Sequence, residues 1–137
     1  MRYLFDTCTL LWFANGESEK LSLAALSLIN TSGNEAVVSV VSFWELAMKT
    51  SVGKLSFPGG SVSILSTLCV REGIQIQPLT VECIQQFLLL PPAHPDPFDR
   101  LLAAISILGN ETTKPLVVLS PDTSFDAYAP WGVTRVW

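Results

Sequence analysis

Short β-branched or aromatic apolar runs alternate along this chain with longer segments whose apolar residues recur at helical spacing. Residues 2–5, "RYLF", read as a buried strand that ends at Asp6, and Thr7 reads as the N-cap of a short helix stopped by Gly16. Helical spacing recurs over 19–33, with Leu21, Leu23, Ala24, Leu28 and Ile29 on one face. The run "EAVVSVV" (35–41) predicts a second strand. Ser42 then caps a helix over 43–55, with Glu45 three residues beyond the cap in a capping-box arrangement. A helix over 59–73, a short strand at 74–79 and a helix over 81–90 capped by Thr80 follow.

"PPAHP" breaks that helix, and Asp96 can cap the next one with Pro97 in its first position, where a missing N–H costs nothing. Phe98, Leu101, Leu102, Ile105 and Leu108 make one apolar stripe along it. "PLVVLS" (115–120) is a strongly β-branched strand, followed by a turn through Phe125 and Tyr128 and a last strand at 132–137. Strands alternating with helices predict an α/β fold with a mostly parallel central sheet flanked by helices. No repeat, low-complexity tract or linker divides the chain, so residues 1–137 are expected to form one domain.

Composition narrows the class. The 137 residues are 49% hydrophobic and 15% charged, far from disordered chains and enough for a core without staples. No apolar run approaches the roughly 18–20 residues that span a bilayer, so no membrane segment is expected. "MRYLFDTCTLLWF" carries an acid at Asp6 and lacks a small-residue cleavage site, unlike a signal peptide, which makes the cytoplasm the default. Three cysteines without CxxC spacing argue against zinc and against a disulfide framework, and Cys8 and Cys83 are expected to be buried, reduced thiols. A net charge of −4 argues against a broad basic surface for nucleic acid. It leaves open a site where bound divalent ions supply the positive charge.

The placement of the acids gives the chemistry. Glu17, Glu19, Glu35, Glu72 and Glu111 fall in turns or at element ends, where a solvated charge needs no further account. Asp6 follows the first strand and Asp122 the "LVVL" strand, while Glu45 and Asp99 fall in the first turns of two helices. In an open parallel sheet the strand carboxyl ends and the following helix N-termini share one edge, where sites form. Helix dipoles alone do not hold several carboxylates ionised together. A divalent cation does, and oxygen donors with one histidine and no CxxC point to a hard ion, Mg²⁺ or Mn²⁺. Such sites activate water for attack on a phosphodiester.

Each of these residues also has a purely structural account. Asp96 as an N-cap is worth about 1 kcal/mol, with support of a metal site as the alternative. Asp99 could be an acid favoured by the helix dipole, Glu45 a capping-box residue and Asp122 an Asx-turn residue. Arg100 could pair with a carboxylate or contact phosphate. His94 reads as a loop residue rather than a general base, and Trp12, Trp44 and Phe98 as core side chains.

"YLFDTCTLLWF", "VVSFWELAMKTSVGKL", "HPDPFDRLLAA", "VVLSPDTSFDAY" and the closing "GVTRVW" together give the chain its resemblance to PIN domains, in particular to VapC-type ribonuclease toxins of toxin–antitoxin pairs. The resemblance implies a three-layer α/β PIN fold in which Asp6, Glu45, Asp99 and Asp122 form an acidic metal-binding quartet. It places Thr7 beside Asp6 as support, and Ser120 at the serine or threonine position two residues before the last acid. The implied activity is Mg²⁺- or Mn²⁺-dependent endonucleolytic cleavage of RNA, by a homodimer held inactive by a cognate antitoxin. The family often has His-Arg before "DPFDR", where this chain has His94-Pro95.

Rival functions fit less well. A receiver domain needs an acidic pair after the first strand and a late lysine, and a haloacid-dehalogenase-type phosphatase needs a second aspartate in place of Cys8. A flap nuclease needs an insertion to thread DNA. A PIN-fold binding partner with weak or no nuclease activity is the remaining alternative.

Overall fold

The computed structural model describes residues 1–53, 61–109 and 115–137. Five short strands, β1 (Arg2–Phe5), β2 (Glu35–Ser39), β3 (Gln75–Gln77), β4 (Val117–Leu119) and β5 (Thr134–Val136), pair in the order β3-β2-β1-β4-β5. All four pairings are parallel, with Leu4 opposite both Val37 and Val118. The helices are α1 (Thr7–Ala14), α2 (Leu23–Asn30), α3 (Val40–Ser51), α4 (Val62–Arg71), α5 (Val81–Leu89) and α6 (Pro97–Leu108). Two 3₁₀ segments, Ser18–Lys20 and Thr123–Trp131, complete the elements of the described residues. This is the α/β architecture that the alternating sequence pattern predicts.

Strand side chains alternate between two faces, and each face has its own core. Leu4, Val37 and Val118 pack with Cys83 of α5, Leu102 and Ile105 of α6, and Phe125 and Tyr128. Tyr3, Phe5, Val38 and Leu119 pack on the opposite face with Leu10 of α1, Ala25 of α2, and Leu65 and Cys69 of α4. Both faces are covered, so the strands read as apolar runs rather than as alternations of apolar and polar residues. Among the described residues, no helix is long and apolar enough to cross a membrane.

Several boundaries differ from expectation. The strand β2 stops at Ser39, and Val40-Val41 open α3 instead of extending the strand. The Ser39 hydroxyl accepts the Val41 N–H at 3.1 Å and is the N-cap. Ser42 therefore lies inside the helix, and the expected Ser42–Glu45 capping box does not form. Core burial of Val41 outweighs its β-branched preference. The segment over 19–33 splits, with Ser22 capping α2 by accepting the Ala25 N–H. The caps at Thr80 and Asp96, and Pro97 in the first turn of α6, stand as predicted. Lys54, Leu55, Gly59, Gly60 and Glu111 lie outside the described residues.

The chain moves from β1 through β2 to β3 on one side and then returns to β4 and β5 on the other. The reversal lies between β1 and β4. A crevice opens there at the carboxyl edge, because the connections leave in opposite directions.

Candidate active site

Asp6 leaves the end of the central strand β1 and becomes the N-cap of α1, so Thr7 is the first helical residue and not the cap. Its Oδ1 accepts the Thr9 N–H at 2.7 Å, which satisfies one of the orphan donors of the helix. Its Oδ2 accepts from the Ser120 hydroxyl, at the end of β4, at 2.5 Å. Ser120 in turn accepts the Asp122 N–H at 3.0 Å. One serine thus ties the acid of β1 to the acid that follows β4. Asp6 is buried, and burial pushes its carboxyl above the ordinary range. The Ser120 and Thr9 hydrogen bonds oppose that shift, and the nearby Glu45 charge adds to it.

Glu45 sits in the second turn of α3 and is only 3% exposed. Its Oε2 accepts from the Thr7 hydroxyl at 2.5 Å, and Thr7 lies 3.0 Å from the Ser42 hydroxyl. Its Oε1 accepts from Lys49 Nζ at 2.6 Å, one helical turn on. Lys49 is half-exposed at the rim, and the Glu45 contact raises its pKa against the opposing effect of burial.

The third group comes from α6 and the segment after β4. Asp96 caps α6, its Oδ1 accepting the Phe98 N–H at 2.8 Å. Asp99, one turn further on, points instead toward His94 and Asp122. The Nε2 atom of His94 lies 2.8 Å from Asp122 Oδ2 and 3.3 Å from Asp99 Oδ2. One atom from each of these three side chains falls within 4.8 Å of the others. Burial, then the charge of Asp96, pushes the Asp99 carboxyl up to about 7, against the pull of His94. Asp122 moves the other way. Burial raises its pKa, but the Ser124 N–H and His94 outweigh that and hold it below the ordinary value.

The carboxylates of Asp6, Glu45, Asp96, Asp99 and Asp122, together with Lys49, line one cavity of about 570 Å³. Five carboxylates thus face one lysine among the described lining residues. The raised pKa values of Asp6 and Asp99 express an excess of negative charge in a place sheltered from water. Oxygen donors carrying uncompensated charge suit a hard divalent cation.

All four acids singled out in the sequence reach this cavity, as do Asp96 and Thr7. Ser120 stands behind them, holding Asp6. Arg100 does neither of the things expected of it. Its Nη2 caps the C-terminal end of α5 by donating to the Phe87 and Leu90 carbonyls, and its guanidinium lies over the Phe87 ring. Asp99 and Arg100 are adjacent on a helix, so they point about 100° apart, and only one can face the cavity.

Two other expectations fail. Cys8 is exposed, two positions after the cap of α1, while Cys69 and Cys83 are buried. Desolvation against the cavity wall, then the charges of Asp6 and Asp99, push the Cys8 thiol to about 12. Trp44 is exposed and meets Phe98 edge-on. The residues that sequence reasoning missed are His94 and Lys49. For Lys49 the signal was present, as a lysine four residues after Glu45.

No curated protein matches this chain. A chain in the crystal structure of VapBC2 from Rickettsia felis bound to a DNA fragment from their promoter is 15% identical, with a TM-score of 0.64. That match covers 99% of this chain and 98% of that one. A chain in the structure of VapBC-1 from nontypeable Haemophilus influenzae is 12% identical with a TM-score of 0.59, covering 99% and 97%. At these identities the likeness is one of fold. The PIN domain family matches residues 3–129, nearly the whole sequence, and the chain is therefore a member of the PIN domain family.

Proposed function

We propose that the protein is a metal-dependent endoribonuclease, the toxin of a toxin–antitoxin pair, with Asp6, Glu45, Asp99 and Asp122 as its acidic centre. The observation that carries this reading is the meeting of four carboxylates from β1, α3, α6 and the segment after β4 in one cavity at the switch point of a parallel sheet. Membership of the PIN family supports nuclease chemistry. The fold shared with chains of two VapBC complexes supports a cognate antitoxin as partner. A homodimer is the assembly that the resemblance to VapC-type toxins implies.

A bound Mg²⁺ or Mn²⁺ supplies the charge that polarises a water and the phosphodiester for hydrolysis. Asp6, Glu45, Asp99 and Asp122 are the residues that would hold it. Ser120 and Thr9 keep both oxygens of Asp6 in fixed directions. Thr7 and Lys49 orient Glu45, and Lys49 leaves a positive charge at the rim where a phosphate enters. Asp96 holds the start of α6, and with it the direction of Asp99. Hydrolysis forms a bond from the water oxygen to phosphorus and breaks one P–O bond to the leaving ribose oxygen.

The test compares wild type with Asp6→Asn on a structured RNA pool, free of copurified antitoxin, in Mg²⁺, Mn²⁺ or EDTA. Cleavage that requires the metal and is lost in the variant is the expected result. Two folded proteins equally inert on every RNA and ion would overturn the nuclease reading in favour of a binding partner.

A further inference from the structure

The loop between α5 and α6 carries the one histidine of the chain, and its ring is held from two sides. Nδ1 accepts the Asp96 backbone N–H at 3.0 Å, while Nε2 faces Asp122 Oδ2 at 2.8 Å and Asp99 Oδ2 at 3.3 Å. The residue is 7% exposed. Its own backbone N–H donates to the hydroxyl of the fully buried Tyr128 at 2.9 Å, and its ring rests against Phe125. A backbone amide can only donate, so Nδ1 must present its lone pair. The ring proton therefore sits on Nε2, and that nitrogen donates to Asp122 Oδ2, with Asp99 Oδ2 standing close by. Turning the ring over would set carbon atoms against both partners and leave the Asp96 N–H without an acceptor.

We propose that His94 is a positioning residue, a neutral Nε2–H donor that holds Asp122 beside Asp99 and is not itself a metal ligand. The inference rests on the metal-site reading above. Distances alone would admit His94 as a ligand, since its Nε2 lies within 4.8 Å of oxygens from both aspartates. A nitrogen that keeps its proton has no lone pair for a cation. Its part is instead to fix which oxygens face the cavity. Asp122 is held through both, Oδ1 by the Ser124 N–H and Oδ2 by His94. Each carboxylate oxygen retains a second lone pair for an ion. Because Asp96 N–H sets the tautomer and Asp96 Oδ1 caps α6, the start of that helix and the orientation of Asp122 depend on one residue.

The experiment is long-range ¹H–¹⁵N NMR of the labelled full chain, where a single histidine gives a single set of ring signals. The expected result is the pattern of a neutral ring protonated at Nε2, unchanged when diamagnetic Mg²⁺ is added. A proton on Nδ1, or loss of the Nε2 proton on adding Mg²⁺, would make His94 a ligand and overturn the proposal. Calorimetric titration with Mn²⁺ supplies the second readout. His94→Ala should weaken binding by about 10- to 100-fold, the usual cost of removing an outer partner of a metal ligand. His94→Gln, which places an N–H near the same point, should recover most of it. Equal losses in both variants would mean that the donor is not what matters. If wild type binds neither ion, the metal reading fails, while the tautomer in the metal-free chain still decides what His94 does.

Discussion

The two walls of the cavity treat their carboxylates differently. On the β1–α3 wall, every oxygen of Asp6 and Glu45 has a partner: Thr9, Ser120, Thr7 or Lys49. On the α6–β4 wall, Asp99 is approached by one donor, His94, which it shares with Asp122. Asp99 is pushed up to about 7, while the better-supplied Asp122 lies below its ordinary value. The first wall is a finished hydrogen-bond network. The second offers its carboxylates fewer donors, although Asp6 on the first wall is also pushed above its ordinary range by burial.

The strongest way to break this comparison is Asp6→Asn. Asparagine caps a helix as well as aspartate does, so α1 should keep its start and Tm should not fall. Cleavage should drop by about 10²- to 10⁴-fold, the range seen when a positioned acid–base group is lost. Melting curves beside RNA cleavage rates check both halves.

The second test is pH. The Asp99 carboxyl is held at about 7 in the folded chain against an ordinary 3.8. Between those values the folded state binds more protons than the unfolded one, so stability falls as pH rises. Metal-free Tm should therefore decline from about pH 4 to about pH 7, and Asp99→Asn should flatten the decline. At pH 8 that variant should melt at least about 3 °C above wild type, roughly what 1 kcal/mol is worth at this size. Saturating Mg²⁺ or Mn²⁺ should close the gap by stabilising wild type, by about 2.7 kcal/mol at a hundred times Kd.

Lys49→Met sharpens the other wall. It leaves a buried Glu45 oxygen without its cation, but Lys49 is half-exposed, so the loss should be about 1–2 kcal/mol, between the surface and buried limits. Denaturant titration at pH 7 measures it. Asp96→Ala has the smallest expected effect, about 1 kcal/mol for a lost cap. Its loss of activity should be smaller than that of Asp99→Asn.

Local signals carried much of this. Short apolar strand runs, the caps at Thr80 and Asp96, and Pro97 in the first turn of its helix are properties of a few neighbouring residues, and the sequence displays them. The four acids were legible because strand ends and helix starts are, and a parallel sheet gathers them. The errors arose where two local readings compete. Ser39 and Ser42 both precede a helical pattern, and the core position of Val41 decides between them. Arg100 and His94 were not legible, because their partners, the carbonyls ending α5 and the acid after β4, are set by how distant elements dock.

The central position of β1 has a consequence for synthesis. It precedes β2 to β5 in the sequence, yet one of its two neighbours in the sheet, β4, follows it by more than a hundred residues. The Ser120 hydroxyl that fixes Asp6 is 114 positions away. Contacts that distant form late, because the loop they close must be complete before they can form. Asp6 and Glu45 are therefore made well before the segment that carries Ser120 and Asp122. The cavity is complete only once β4 and the residues after it have joined the sheet.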